Sequence, residues 1–245
     1  MATKNPIFPE SCRNSESSIS PSIPYLTKYW QVVIKETDRS VFSGNRFGNI
    51  IVNLKEKIIH ESLKLFSLKG FFSTSLHDIL EAANTSKGGF YNHFSSKDDL
   101  FFHVLDEARK IWREKNLKGL DEIENPTEKI KRLLKNYKDR YLKDADNFPG
   151  GCVFITLSAE LNDQRPKLSK ELEKGFIGLK GIIRRLLEQG KESGELIKAV
   201  NTDTVTEILF SGMLGASLLY GVNKSKTSLD KSINSLIEYL EQLKK

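Results

Sequence analysis

Beyond Asn49, apolar residues recur along the chain at intervals of three and four, the spacing that gathers them on one face of an α-helix. Ile51, Leu54, Ile58, Ser62, Leu65 and Phe66 form a first stripe, which Gly70 stops. Residues 75–83 form a short second segment with Leu76, Ile79 and Leu80 on one side. After the polar break Asn84-Thr85, Ser86 is a natural N-cap for a third helix. A fourth begins at Ser96, where Ser96 and Asp99 stand at capping-box spacing, and carries Leu100, Phe101, Val104, Leu105, Ala108 and Ile111 along one face.

The pattern continues downstream. Ile130, Leu133, Leu134, Tyr137 and Tyr141 make a stripe after Asn125-Pro126 that Pro149-Gly150-Gly151 closes, and a shorter apolar segment spans residues 152–161. Pro166 opens a long helix bearing Leu168, Leu172, Phe176, Leu179, Ile183, Leu186 and Leu187. Two more helices are predicted over 203–221 and 228–243. Alternating strand patterns are nearly absent, so the class is all-α.

Composition narrows the reading. Residues 1–24 hold four of the seven prolines and a serine-rich stretch, which buries little apolar surface, so residues 1–49 read as a poorly ordered extension. Translation starting at Val52 or Leu54 from an alternative initiation codon would account for that segment, and the intact mass of native protein tests it. At 245 residues, 38% hydrophobic and 29% charged, the chain can bury a core and is not collagen-like, mucin-like or wholly disordered. Its 38 Lys and Arg against 32 Asp and Glu give a charge of +6, which only mildly favours an anionic partner. Cys12 and Cys152 lie far apart, so there is no disulfide framework or CxxC metal pair, as fits a reducing compartment. No unbroken apolar run approaches the roughly eighteen residues of a bilayer span, and Asn5, Pro6 and Glu10 interrupt the place of a signal peptide. The expectation is a soluble cytoplasmic protein with no membrane partner.

A short helix, a tight polar turn and a second helix opening on small polar residues is the plan of a helix-turn-helix, whose second helix enters the major groove of DNA. Such a helix must carry no acids and must offer donors to phosphates and base edges. Residues 82–97 contain neither Asp nor Glu, while Thr85, Ser86, Lys87, Tyr91, Asn92, His93 and Lys97 all donate. Gly88 and Gly89 each cost about 1 kcal/mol in a helix relative to Ala, which suggests a close approach by something bulky, DNA being one candidate. Over residues 50–115, ten basic residues meet nine acidic ones, so local clustering rather than net charge carries the argument.

These residues resemble the TetR/AcrR family of bacterial transcriptional repressors. The chain supplies Leu65-Phe66, Gly70-Phe71, Thr74-Ser75, Asp78-Ile79, Ala82-Ala83, the run from Ser86 through Lys87, Gly88, Gly89, Phe90, Tyr91, Asn92 and His93 to Phe94, then Ser96-Lys97 and Leu100. It departs at Asn84-Thr85, where the family usually has Gly-Val; Asn tolerates the left-handed conformation of a turn glycine. The resemblance implies a DNA-binding domain over 50–96 and a helical ligand-binding and dimerisation domain over 97–245, with 97–115 as linking helix. It implies phosphate contacts from Thr74, Tyr91, His93 and Lys97, a position at or near the backbone for Thr85 and Ser86, and base contacts from Lys87, Gly88, Gly89 and Asn92. His93 also reads as a satisfied structural histidine, and Phe90 and Phe94 read as core. Lys97 at a helix N-terminus opposes the helix dipole, which a nearby phosphate would explain.

For the second half, the resemblance implies a homodimer through helices 203–221 and 228–243, a double-stranded DNA operator as partner and an unknown small-molecule inducer. Gly212, Gly215 and Ala216 would let two backbones approach, and positions 229, 233, 236, 240 and 243 make a narrow apolar seam. Candidate pocket residues are Tyr137, Tyr141, Cys152, Phe154, Ile155 and Phe176, each of which also reads as core. Gly151-Cys152-Val153-Phe154 with Ser158-Ala159-Glu160-Leu161 resembles a subgroup that includes a repressor sensing electrophiles through a cysteine after a glycine. A helix N-terminus there would depress the thiol pKa; the plain alternative is a buried small hydrophobe.

Enzyme chemistry has little to stand on. All four histidines lie between residues 60 and 103, which leaves the second half no imidazole for a general base, a triad or a zinc site. Gly175, Gly178 and Gly181 sit in a helical pattern without a preceding strand, so no dinucleotide fingerprint is present and no cofactor is implied. A ligand-responsive repressor bound to a pseudo-palindromic operator is the leading reading, thiol-based sensing through Cys152 is its alternative, and a ligand-independent DNA-binding module is a further rival.

Overall fold

A computed structural model describes residues 53–245, and the readings made for residues 1–49 and for Ile51 in the first stripe lie outside the described residues. Helix α1 (Leu54–Lys69) starts where the Asn53 side chain accepts from the Lys55 N–H and ends at Gly70, whose φ of +79° few other residues adopt. Helix α2 (Leu76–Ala82) opens on a two-way capping box between Ser75 and Asp78. Helix α3 (Lys87–Tyr91) is short, and the Ser86 hydroxyl accepts from the Gly89 N–H at 3.1 Å. Helix α4 (Lys97–Asn116) is capped by Ser96, whose hydroxyl accepts from the Asp99 N–H at 3.0 Å.

Asn125 caps α5 (Pro126–Asn136), which runs into a π-turn over Tyr137–Tyr141. Then come α6 (Val153–Leu161), α7 (Pro166–Glu192), α8 (Thr202–Asn223) and α9 (Lys226–Glu241). The Ser225 side chain accepts from the Ser228 N–H, which starts α9 two residues ahead of the expected 228. Among the described residues the one β feature is an isolated bridge between Leu196 and Lys244, so the fold is all-α.

Helices α1, α2 and α3 close around Ile58, Phe66, Ile79, Phe90 and Phe94, all buried, and Phe101 of α4 meets Phe71 edge-on at 5.5 Å. Each such side chain contributes about 1.5–3 kcal/mol by leaving water. Helix α4 continues from this head into a body formed by α5, α7, α8 and α9. Head and body also bond directly: the Ser67 hydroxyl donates to the Gly151 carbonyl at 3.1 Å and accepts from the Gly150 N–H at 3.0 Å. A Cβ on Gly150 would overlap the Ser67 carbonyl oxygen, so a glycine is required at this crossing.

Two expectations about the last helices need correction. A Cβ on Gly212 would come within 2.5 Å of Leu236, so this glycine admits α9 of the same chain; Ala216 is buried there too. Leu229, Ile233 and Leu240 of the expected seam are likewise buried inside the chain. What α8 leaves open is another stripe: Ile208, Ser211, Gly215, Leu218 and Val222 recur at three and four and are all exposed, Val222 at 79%. Among the described residues α8 is also the one helix long and apolar enough to cross a membrane by length and composition, at mean hydropathy 1.5 over its best 18 residues.

Candidate nucleic-acid interface and ligand cavity

The turn between α2 and α3 sets the reading head. Asn84 adopts φ +50°, the left-handed conformation expected of it, and the Thr85 N–H donates back to the Leu80 carbonyl at 2.9 Å. Leu76 and Leu80 pack partly buried on the core while Ile79 and Phe90 are fully buried, which fixes α3 by its apolar side. Its other side presents Ser86, Lys87, Gly88, Tyr91 and Asn92, all exposed, with Tyr91 at 55%. Thr85, Gly89 and His93 are half-buried beside them. Near these groups Asp78 and Asp99 are turned to Ser75 and Ser95 respectively, so the surface of α3 itself carries donors and no acid.

Three sequence-based expectations fare differently. A Cβ on Gly89 would overlap the Thr85 hydroxyl, so this glycine is explained inside the chain; Gly88 has only the Ser86 hydroxyl at 3.7 Å and leaves the backbone open to an approaching strand. Thr74 is fully buried and its hydroxyl donates to the Gly70 carbonyl at 2.6 Å, so a side-chain phosphate contact does not fit its placement. The Lys97 ammonium donates to the carbonyls of Phe71 and Thr74 at 2.8 Å each and lies 4.2 Å from the Phe71 ring centroid. Those carbonyls, rather than a phosphate, explain a cation at the start of α4; burial lowers its pKa.

In the body, a cavity of about 290 Å³ lies between α4, the π-turn, α6, α7 and α8. Four of the six expected pocket residues line it: Tyr137, Cys152, Phe154 and Phe176. Tyr141 stands one layer back, fully buried and stacked on Tyr137 with ring centroids 5.6 Å apart, and Ile155 packs partly buried against the core; neither reaches the cavity. The π-turn sets this stack, its extra residue per turn bringing the rings of Tyr137 and Tyr141 to within 22° of parallel.

The remaining wall escaped the sequence reading. Arg109, Trp112 and Arg113 reach in from α4, and Lys174, Gly175, Gly178, Leu179 and Ile182 from α7, with Leu214 from α8. The glycines were the available signal: residues 175 and 178, one turn apart, strip side chains from one side of α7, and a Cβ on Gly178 would meet nothing within 4 Å.

Cys152 is the N-cap residue of α6, where the sequence leaves open both a depressed thiol pKa and a buried small hydrophobe. The thiol is buried, and burial pushes its pKa up, although the Tyr141 hydroxyl lies 3.4 Å from Sγ. Burial raises the pKa of Tyr137 and Tyr141 well above the usual phenol value as well.

Comparison with known proteins agrees with this arrangement. Residues 58–104 match the family described as bacterial regulatory proteins, tetR family, and residues 126–236 match the tetracyclin repressor-like C-terminal domain. An uncharacterised HTH-type transcriptional regulator of Lactococcus lactis is 30% identical over 193 residues, covering 78% of this chain and 95% of the relative. The HTH-type transcriptional repressor DhaR of Mycobacterium sp. strain GP1 is 24% identical, covering 76% of this chain and 92% of its own length. A TetR transcriptional regulator from Chloroflexus aurantiacus superposes with a TM-score of 0.72 at 26% identity over 78% of this chain and 96% of that one. The chain belongs to the TetR family of bacterial transcriptional regulators.

Proposed function

We propose that this protein is a repressor that holds a pseudo-palindromic operator as a homodimer in the cytoplasm and lets go when a small molecule fills the body cavity. The head is residues 50–96, the body residues 97–245, and residues 97–115 link them. One observation carries the reading: α4 runs from the reading head to the cavity, where it supplies Arg109, Trp112 and Arg113. A ligand shifts a two-state protein only by binding one state better, and a cavity walled by the linking helix gives it that leverage. The name of the relative DhaR as a repressor favours repression over activation.

Dimerisation is supported by the exposed α8 stripe, where Leu218 at 55%, Val222 at 79% and the open Gly215 offer an apolar surface with room for a second backbone. A two-fold axis there would set the heads for successive major grooves roughly 34–36 Å apart. Phosphate contacts from Tyr91 and His93, and base contacts from Lys87 and Asn92, remain part of the reading.

Footprinting and fluorescence anisotropy on the DNA upstream of the protein's own gene test it. The expected result is a protected, two-fold symmetric site whose affinity falls steeply with salt. A folded dimer that ignores that DNA at low ionic strength overturns it. Thiol sensing ranks second: Cys152 lines the cavity, which gives an electrophile a place to sit, but its raised pKa leaves little thiolate to react.

A further inference from the structure

The cavity is charged unevenly. Phe154, Phe176, Leu179 and Leu214 make part of its wall apolar, while Arg109, Arg113 and Lys174 stand in the same wall with no carboxylate among the lining residues. Asp106 and Glu171 answer part of that charge from outside: Arg109 donates to Asp106 at 3.0 Å and to Glu171 at 3.2 Å, and Lys174 donates to Glu171 at 2.7 Å, which leaves Arg113 as the excess. Arg113 is exposed and, among the described residues, has no carboxylate oxygen within 4.0 Å. The wall therefore keeps a net excess of positive charge beside a low-dielectric interior, where an ion pair is worth more than in bulk water.

Tyr137 lines the cavity with its ring, while its hydroxyl is closed off from it, buried beside Ser217 and Cys152. The volume, about 290 Å³, is roughly twice that of the ~150 Å³ cavity that holds benzene, so a fused two-ring body fits.

We propose that the effector of this cavity is an amphipathic organic anion: a flat apolar body and a carboxylate held by Arg113 with Lys174. The inference rests on the regulator reading for its consequence, release from DNA, but its chemistry is tested apart from DNA. The probes are 6-hydroxy-2-naphthoate, its neutral carboxamide and the corresponding naphthylmethylammonium, titrated calorimetrically into the full chain.

The carboxylate should bind at least about tenfold more tightly than the amide, the size of one charge-assisted hydrogen bond, and the ammonium more weakly than either. Arg113→Gln should remove most of the carboxylate's advantage and its salt dependence, and weaken the amide by less. Equal or tighter binding of the amide or the ammonium, or no binding by any of the three, overturns the proposal. DNA binding is measured separately: its absence sinks the regulator reading, whereas intact DNA binding with no charge preference sinks only the anion.

Discussion

Glu160 reaches across 89 residues to the end of the first helix, where its carboxylate accepts the Phe71 N–H at 2.5 Å and the Phe72 N–H at 2.7 Å. Head and body are thereby joined by backbone donors that no intrahelical carbonyl satisfies. Gly70 makes the approach possible, since its φ is +79° and a Cβ there would stand 2.5 Å from the carboxylate.

Removing that bond should loosen the head. Glu160→Ala leaves two donors without their acceptor, and the expected loss is about 1–2 kcal/mol of unfolding free energy, read from urea denaturation. Operator affinity should fall with it although α3 is untouched, because the head is no longer held at one angle. An unchanged midpoint and unchanged affinity would mean that the carboxylate does not hold the two parts together in solution.

Gly150 is the second joint between head and body and admits no side chain, because a Cβ would run into the Ser67 carbonyl. Gly150→Ala must move one backbone away from the other and should cost about 1–3 kcal/mol. Hydrogen exchange should show the loss concentrated in α1 and the adjoining loop; a variant as stable as the parent would contradict the packing described.

Much of this was legible in the chain. The stripe from Ile58 to Phe66 and the caps Ser86 and Ser96 are local signals, governed by side chains within one or two turns, so they survive folding unchanged. The Asn84 turn was readable for the same reason. What depended on distant partners was not. Thr74 reads as a surface donor until Gly70 is seen to take its hydroxyl, and Lys97 reads as a phosphate ligand until the carbonyls of Phe71 and Thr74 are found beneath it. Arg109 and Arg113 share a helix with many charged residues, and only the packing of α7 against α4 makes them cavity wall. The thiol of Cys152 is open to two readings from the chain alone, because a helix N-terminus is a local feature, whereas desolvation is set by the whole body.

Asp78 gives the head an acid-dependent stability. The Lys69 ammonium at 2.9 Å, with help from Ser75, holds its carboxyl at about 2 against an ordinary 3.8. A depressed carboxylate stabilises the folded state fully above 3.8, and that contribution disappears as pH falls from there through about 2. Asp78→Asn should therefore be less stable than the parent near neutrality, with the gap closing only in that acid window. Asp78 is partly exposed, so the gap should also shrink with added salt. Urea titrations at several pH values check both, and a gap that is flat down to the acid limit would remove the charge from the explanation.

Lys87 opens the reading helix and is exposed, with nothing in the fold depending on it. Lys87→Ala should leave the thermal midpoint unchanged. If the residue sits on a phosphate, operator affinity drops evenly across sequences and the salt slope falls by about one per head; if it reads a base, discrimination at one operator position relaxes instead. Anisotropy against a set of single-base operator variants at three salt concentrations separates the two, and no effect on either measure would take Lys87 off the DNA.

Cys152 decides between a ligand that binds and one that reacts. Burial raises its thiol pKa, and only the thiolate attacks an electrophile, so near neutral pH the native protein should be a slow nucleophile. In a Cys12→Ser background, iodoacetamide should modify Cys152 at least about tenfold more slowly in the native state than in urea, because desolvation disfavours the charged form. Operator release by N-ethylmaleimide should then be equally poor in the parent and in Cys152→Ser. A native rate matching the unfolded one, together with electrophile-driven release that Cys152→Ser abolishes, would show that the cavity opens often enough to ionise the thiol. In that case covalent sensing, rather than occupancy of a preformed cavity, would be the signal that empties the operator.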